Sequence, residues 1–285
     1  MGRKKHSIQK EIFSFLILFA FSSNLSSDIE DNIALHKEQF SEVALKIWEY
    51  AELGYQETKS SNLLASELKK EGFKITKGVA GIPTAFVAEF GSSGPVIGIL
   101  GEFDALPGLA QTNSPFKEVA VNDSGGGHAC GHHLFGAASA WAAVSIKEWL
   151  DENDVEGTVR FYGTPAEEGG SGKVYMVREG LFDDVDVVLH WHPDDVNSAN
   201  PKTSNSNKSA KFTFKGISAH AAGSPELGRS ALDGVEAMNM MVNMMREHIP
   251  QESRMHYVIT KGGLAPNVVP DLAEVYYYVR HPEMK

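Results

Sequence analysis

The feature that most constrains this chain is the segment Gly127–His133, which places the only cysteine among three histidines. A thiolate and imidazoles this close together suit a borderline divalent metal such as zinc. The glycine between Cys130 and His132 lets the backbone turn sharply, so both side chains can reach one site. A helix beginning near Leu134 would place its N-terminal dipole beside the cysteine and favour the thiolate. The segment therefore predicts a metal site in a loop that precedes a helix, although a lone cysteine can also simply fill a core.

Two later segments supply the groups that a catalytic metal site needs. Glu167 and Glu168 lie between an apolar strand and a glycine-rich turn. Because neighbouring side chains project differently, one carboxylate can bind metal while the other takes a proton from the attacking water. His190 and His192 would share one face of an extended strand end, so both can approach the site and their spacing does not choose between them. Together these groups indicate metal-assisted hydrolysis.

Composition limits the possible partners. The 285 residues carry a formal net charge of −11, with 42% hydrophobic and 22% charged residues, which is typical of a globular protein. A charge this negative argues against nucleic acid as a partner. A single cysteine excludes an internal disulfide, so its role is packing, metal binding or thiol chemistry.

Residues 1–27 resemble a signal peptide. Basic residues at positions 3–5 and 10 precede an apolar run at 12–21. This run is too short to span a bilayer comfortably, but its length suits the core of a signal peptide. We therefore expect export to the periplasm or the exterior if the leader is a signal peptide, and a cytoplasmic location otherwise.

Strands and helices alternate along the next part of the chain, residues 30–203. The periodicity predicts two helices within residues 32–70, interrupted at Gly54, and a third helix over 134–150. Short apolar runs predict strands at 85–90, 96–100, 158–162 and 185–189. This alternation predicts an α/β domain with a mostly parallel sheet flanked by helices. The suspected metal groups follow strand ends, where open α/β sheets bind their ligands.

A different pattern follows residues 197–209, which are rich in Asn, Ser and Lys and predict a linker. Strand, helix, strand and strand are predicted in that order over 211–279, which is the beginning of a ferredoxin-like α+β unit. We expect this second domain to cover residues 204–285. The sequence reaches Lys285 before the helix and strand that close such a unit, so we expect the unit to be incomplete here.

These segments together resemble the aminoacylase/carboxypeptidase family of dinuclear metallohydrolases. The similarity is greatest to its amidohydrolase branch, which includes auxin-conjugate hydrolases and aminobenzoyl-glutamate hydrolases, the latter of the B-subunit type. It covers most of the chain after the leader. The segments that carry it, in chain order, are 52–57, 102–108, 128–132, 167–172, 191–193 and 214–220.

The resemblance implies two divalent metal ions, zinc or manganese, and gives roles to the residues that match. The metal ligands would be Cys130, His132, Glu168 and His192. Glu167 would be the general base, and His190 would stand beside the ligands without binding metal. In the second domain, which would be an inserted lid and dimerisation domain, His220 would polarise the scissile carbonyl. The remaining substrate contacts would come from Asn267 and Arg280, and an arginine fork suits a carboxylate.

The implied activity is metal-dependent cleavage of a small amide, an N-acyl or aroyl amino acid such as aminobenzoyl-glutamate. The resemblance also implies a homodimer or a partner subunit, joined through the lid domain. The family's last metal ligand is a histidine in a returning C-terminal segment, which does not appear before Lys285. An alternative is therefore a truncated, catalytically incompetent relative that acts as a binding protein or partner subunit. A zinc-stabilised structural module is disfavoured, because structural sites rarely need a spare carboxylate beside a ligand.

Overall fold

The computed structural model describes residues 29–122, 124–199 and 203–284. The predicted leader, residues 1–27, therefore lies outside the described residues. The chain divides into two units, 1–196 and 197–285. The predicted domain limits of 30–203 and 204–285 stay predictions.

The helices of the first unit form where apolar residues recur at helical spacing. Helix α1 (Lys37–Tyr50) buries Phe40, Val43 and Ile47, which lie three and four residues apart on one face. Helix α2 (Thr58–Lys70) buries Leu64 and Leu68 in the same way. Further helices of this unit are α3 (His132–Glu152) and the short α4 (Gly172–Arg178), and a single helical turn covers Glu167–Gly170. Helix α3 begins two residues before its predicted start.

The first unit contains a five-stranded sheet with the order β1-β2-β6-β3-β7. Its strands are β1 (Lys74–Lys77), β2 (Phe86–Phe90), β3 (Val96–Gly101), β6 (Thr158–Gly163) and β7 (Val187–Leu189). Strands β3, β6 and β7 are parallel neighbours, whereas β2 pairs antiparallel with both β1 and β6. Four strands thus share one direction, and the predicted mostly parallel α/β sheet is confirmed. A minor pair, β4 (Leu106–Pro107) and β5 (Gly126–Gly127), lies apart from this sheet.

The core of the first unit lies between this sheet and helices α1, α2 and α3. Small buried residues of α3, among them Ala137, Ala140 and Ala143, let the helix approach the sheet closely. Gly136 is the tightest point, since a Cβ there would lie 2.6 Å from the backbone oxygen of Glu102. The glycine therefore brings the start of α3 against the residue that follows β3, and this contact positions the site described below.

The second unit is a three-stranded antiparallel sheet covered by one helix. Its elements are β8 (Ser206–Lys215), α5 (Ala231–Met245), β9 (Arg254–Lys261) and β10 (Leu272–His281), and the strand order is β8-β10-β9. The predicted order of strand, helix, strand and strand is confirmed, but the predicted linker is wrong at 206–209, where β8 already pairs with β10. Val235 of α5 and Val275 of β10 are both buried in its core.

None of the helices in the described ranges combines the length and the apolarity that crossing a membrane requires.

Candidate metal centre

The candidate centre lies at one edge of the first sheet. Glu102 and Asp104 follow β3, Glu167 follows β6 after three residues, and His190 and His192 follow β7. Because β3, β6 and β7 are parallel, their carboxyl ends meet at this edge, which is where open α/β sheets bind ligands. Side chains that are far apart in the sequence are thereby brought within contact distance.

His132, the first residue of α3, is fully buried at the middle of the cluster. Its Nδ1 lies 3.0 Å from both the backbone oxygen and Oδ1 of Asp104, so this nitrogen is held as a donor. Its Nε2 lies 3.0 Å from Glu102 Oε2, 3.4 Å from His192 Nε2 and 3.9 Å from Glu167 Oε2. Metal-binding histidines are commonly oriented by such a carboxylate on the second nitrogen, which leaves the first one for the metal.

Burial opposes a charge on His132, but the hydrogen bonds to Asp104 and Glu102 outweigh it and raise the pKa of the imidazole to about 10. Burial also opposes ionisation of Glu102, yet its contacts with His132, His190 and Lys173 hold the pKa of this carboxyl well below its usual range. Lys173 Nζ pairs with Glu102 Oε1, and His190 Nε2 lies 3.7 Å from the same atom. The cluster therefore contains a buried carboxylate that attracts cations.

Cys130 completes the cluster on the exposed side, where its Sγ lies 3.5 Å from His192 Nε2. The pKa of the Cys130 thiol is raised to about 12, and partial burial is the largest cause. A hydrogen bond to Glu168 and the negative charges of Glu168 and Glu167 act in the same direction. The predicted effect of the N-terminus of α3 on the thiolate stays a prediction. Burial and the acidic side chains that arrive from β6 together favour the neutral thiol, so a thiolate here needs a neighbouring cation.

The two predicted acids follow an unusual backbone turn. Ala166, directly before them, has a left-handed conformation with φ 56° and ψ 44°. The amide of Glu168 donates to Asp104 Oδ2 at 2.8 Å. Burial, and then the charges of Glu102 and Glu168, raise the pKa of Glu167, whose side chain remains 45% exposed. A half-exposed carboxylate with a raised pKa suits a group that takes up and releases a proton.

Two groups of side chains in this cluster could hold a metal ion, and both include His132, whose free Nε2 can bind only one ion at a time. The first group is Cys130, His132 and His192, and the second is Glu102, His132 and Glu167; within each group the ligand atoms lie within 4.8 Å of one another. The thiol and imidazoles fit zinc, and the carboxylates also fit manganese. Several carboxylates lie close together beside one buried imidazole, and their negative charges can be balanced by more than one cation. The donor set therefore fits a pair of divalent ions.

The structure thus brings together Cys130, His132, Glu167 and His192 from the predicted set, and Glu168 touches the thiol. Sequence reasoning gave no role to Glu102, Asp104 or Lys173. Glu102 and Asp104 could have been found, because they follow β3 at the same edge of the sheet as the predicted groups. Lys173 carries no such signal in the sequence.

The other predicted residues lie in the second unit. His220 follows β8 in an exposed loop, where its Nδ1 accepts hydrogen bonds from the amides of Ala222 and Gly223. Asn267 lies in the facing loop, and its backbone oxygen accepts from the amide of Ala221 at 3.1 Å. Arg280 lies near the far end of β10 from that loop, with its guanidinium over the ring of Tyr278. His220 and Asn267 are therefore neighbours, and Arg280 stands apart from them. The roles of all predicted residues stay predictions.

Comparison with known proteins decides the family. The sequence profile of the peptidase family M20/M25/M40 matches residues 98–273, which is more than half of the chain and includes the whole cluster. The chain belongs to this family. The predicted resemblance to the aminoacylase/carboxypeptidase metallohydrolases is confirmed by this match.

Individual members of the M20/M25/M40 family are similar over most of the chain. The B-type subunit of p-aminobenzoyl-glutamate hydrolase from Escherichia coli K12 is 48% identical over 257 residues, covering 90% of this chain and 53% of that protein. The chain spans about half the length of the curated relatives it matches.

Solved structures of the family share the fold. A Bacillus subtilis protein described as a dinuclear metal binding peptidase of the M20 family superimposes with a TM-score of 0.59 at 25% identity, covering 88% of this chain and 65% of that chain. An aminobenzoyl-glutamate utilization protein from Klebsiella pneumoniae gives a TM-score of 0.59 at 18% identity, covering 90% of this chain and 70% of that chain, which shows the fold alone.

Proposed function

We propose that this chain belongs to a hydrolase that uses two divalent ions, zinc or manganese, to cleave an N-acyl or aroyl amino acid such as aminobenzoyl-glutamate. The observation that carries the proposal is the set of metal-binding side chains gathered around His132, namely Cys130, His192 and Glu102, with the half-exposed Glu167 beside them. The name of the E. coli relative supports the substrate class, and the description of the B. subtilis structure supports two metals.

Most side chains of the cluster have a part in this reaction. Bound divalent ions would lower the pKa of a water molecule and polarise the amide carbonyl. Cys130, His132, Glu168 and His192 would hold the ions, and Glu102 adds a carboxylate that lies 3.0 Å from His132 Nε2. Asp104 keeps the His132 ring in place. Glu167 would take the proton from water and return it to the leaving amine.

The second unit would supply the substrate contacts. His220 and Asn267, which lie in facing loops, would hold the carbonyl oxygen of the substrate. The contact between Arg280, which stands apart from them, and the substrate carboxylate stays a prediction. The E. coli relative is named as one subunit of a hydrolase, which supports assembly with a second copy or a partner chain. Size-exclusion chromatography with light scattering tests this assembly.

Export of the protein is proposed from the sequence of residues 1–27 alone. N-terminal sequencing of the protein from its native cells tests it: a mature chain that begins after the leader supports export, and an intact leader contradicts it.

The central experiment compares metal content and amide hydrolysis in three variants of the chain. Elemental analysis of the wild type should give about two zinc or manganese ions per chain, and Cys130→Ala should lose metal. Glu167→Gln should keep its metal and lose about 10²- to 10⁴-fold in kcat on aminobenzoyl-glutamate or a related N-acyl amino acid. Glu42→Gln, which changes an exposed acid on α1, is the matched control and should behave as the wild type. A wild type without metal, or full activity in Glu167→Gln, would overturn the proposal.

A further inference from the structure

Glu57 is a buried carboxylate that the proposed reaction does not use. It lies directly before α2 and is fully buried. Its Oε2 accepts a hydrogen bond from the hydroxyl of Thr84 at 3.0 Å, and its Oε1 accepts one from the amide of Ala166 at 2.8 Å. Because burying a carboxylate is costly, these two contacts need a reason beyond filling space.

Capping of α2 is not that reason. Glu57 stands at the N-cap position of the helix, but its side chain makes no capping hydrogen bond. Glu52 does this instead, since its carboxylate accepts from the amides of Lys59 and Ser60 at 3.0 and 2.9 Å. The Glu57 side chain points away to a residue 109 positions later in the chain.

The residue that Glu57 contacts, Ala166, has the strained backbone conformation of the turn that precedes Glu167 and Glu168. Ala166 is left-handed, a conformation that residues other than glycine rarely adopt. It is packed on both sides by glycines, because a Cβ at Gly54 would lie 3.1 Å from its Cβ and one at Gly170 would lie 2.6 Å from it. Tyr55 also donates to the backbone oxygen of Gly170 at 2.6 Å. Gly54, Tyr55 and Glu57 thus all contact the turn that carries the two acids.

We propose that Glu57 is a positioning residue, whose carboxylate holds the Ala166 amide and thereby fixes the left-handed turn that directs Glu167 and Glu168 into the metal centre. This inference rests on the proposed function of that centre. Asp104 holds the next part of the same turn through the Glu168 amide. Two buried carboxylates, those of Glu57 and Asp104, therefore accept hydrogen bonds from the backbone amides on either side of Glu167.

The first test measures amide hydrogen exchange of the metal-free chain at Ala166. Glu57→Leu keeps a side chain of similar volume but removes the acceptor, and we expect the Ala166 amide to exchange at least about ten-fold faster while strand β6 keeps its protection. Glu57→Gln keeps an oxygen acceptor and should restore wild-type protection. Thr84→Val, the matched control, removes the other hydrogen bond of Glu57 and should leave Ala166 protected. Glu57→Ala serves the same purpose if Glu57→Leu does not fold.

The second test measures zinc affinity by titration calorimetry in the same variants. Loss of a group that orients ligands typically weakens metal binding about 10- to 100-fold, and we expect this for Glu57→Leu but not for Glu57→Gln or Thr84→Val. Unchanged exchange at Ala166 in Glu57→Leu would overturn the inference, as would equal losses in the leucine and glutamine variants. A wild type that binds no metal and cleaves no amide would instead refute the proposed function, and the exchange at Ala166 would still decide the part played by Glu57.

Discussion

Glu57 should also leave a measurable trace in the pH dependence of stability. Burial, only partly offset by the hydrogen bonds it accepts, raises the pKa of its carboxyl from 4.5 to about 7. The nearby charge of Asp104 contributes in the same direction. Between these two pH values the folded chain keeps a proton that the unfolded chain has lost. The free energy of unfolding therefore falls as the pH rises through this window.

The substitution Glu57→Gln removes this titration while keeping the shape of the protonated acid. The variant should match the wild type in stability at about pH 3.5 and below, where Glu57 is protonated in both states. It should become more stable than the wild type as the pH rises to about 7 and above. A pKa difference of this size corresponds to about 3 kcal/mol, of which most accumulates between pH 5 and 8.

The assay is urea unfolding in the presence of EDTA at several pH values from 5 to 8, with wild type and Glu57→Gln side by side. All four tryptophans lie in the first unit, at positions 48, 141, 149 and 191, so their fluorescence follows the unit that contains Glu57. Other titrating groups are common to both proteins and cancel in the difference. A difference in unfolding free energy that stays constant from pH 5 to 8, or that shrinks, would refute the reasoning.

Three further predictions concern the site and the core. Asp104→Asn replaces the carboxylate that accepts from His132 Nδ1, so zinc binding measured by calorimetry should weaken about 10- to 100-fold; unchanged affinity would contradict this. Leu64→Ala removes a fully buried side chain of α2 and should lower the free energy of unfolding in urea by about 2 to 5 kcal/mol, whereas a loss below about 1 kcal/mol would show that the core repacks. Gly163→Ala would place a Cβ 2.3 Å from the ring of Phe86 and should cost about 1 to 3 kcal/mol in the same assay, with no loss expected only if the ring can move aside.

The sequence by itself determined the local elements and the family. The helical spacing of Phe40, Val43 and Ile47 fixes which face of α1 is buried, because a helix repeats every 3.6 residues whatever lies beside it. The apolar runs of β2, β3 and β6 likewise appear where predicted. The segment around Cys130 and His132 predicts a metal site, because a thiol and imidazoles at this spacing suit a divalent ion.

Only the tertiary structure decided which strands are neighbours. Residues 91–95 connect β2 to β3 with a turn short enough for a hairpin, yet β6 lies between these two strands. Strand order depends on which sheet face each helix covers, and no local pattern records that choice. The insertion of β6 is also what brings the Glu167 turn beside Glu102 and Asp104, which follow β3.

The tertiary structure also decided the electrostatics of the centre. From the sequence, the helix dipole beside Cys130 predicted a favoured thiolate, but burial and then the carboxylates of Glu168, Glu167 and Glu102 raise the pKa of the thiol. The pKa of Glu57 likewise depends on the tertiary structure, since its hydrogen-bond partner Ala166 is distant in the chain. Charge interactions depend on distance in space, and the sequence specifies that distance only through the completed fold.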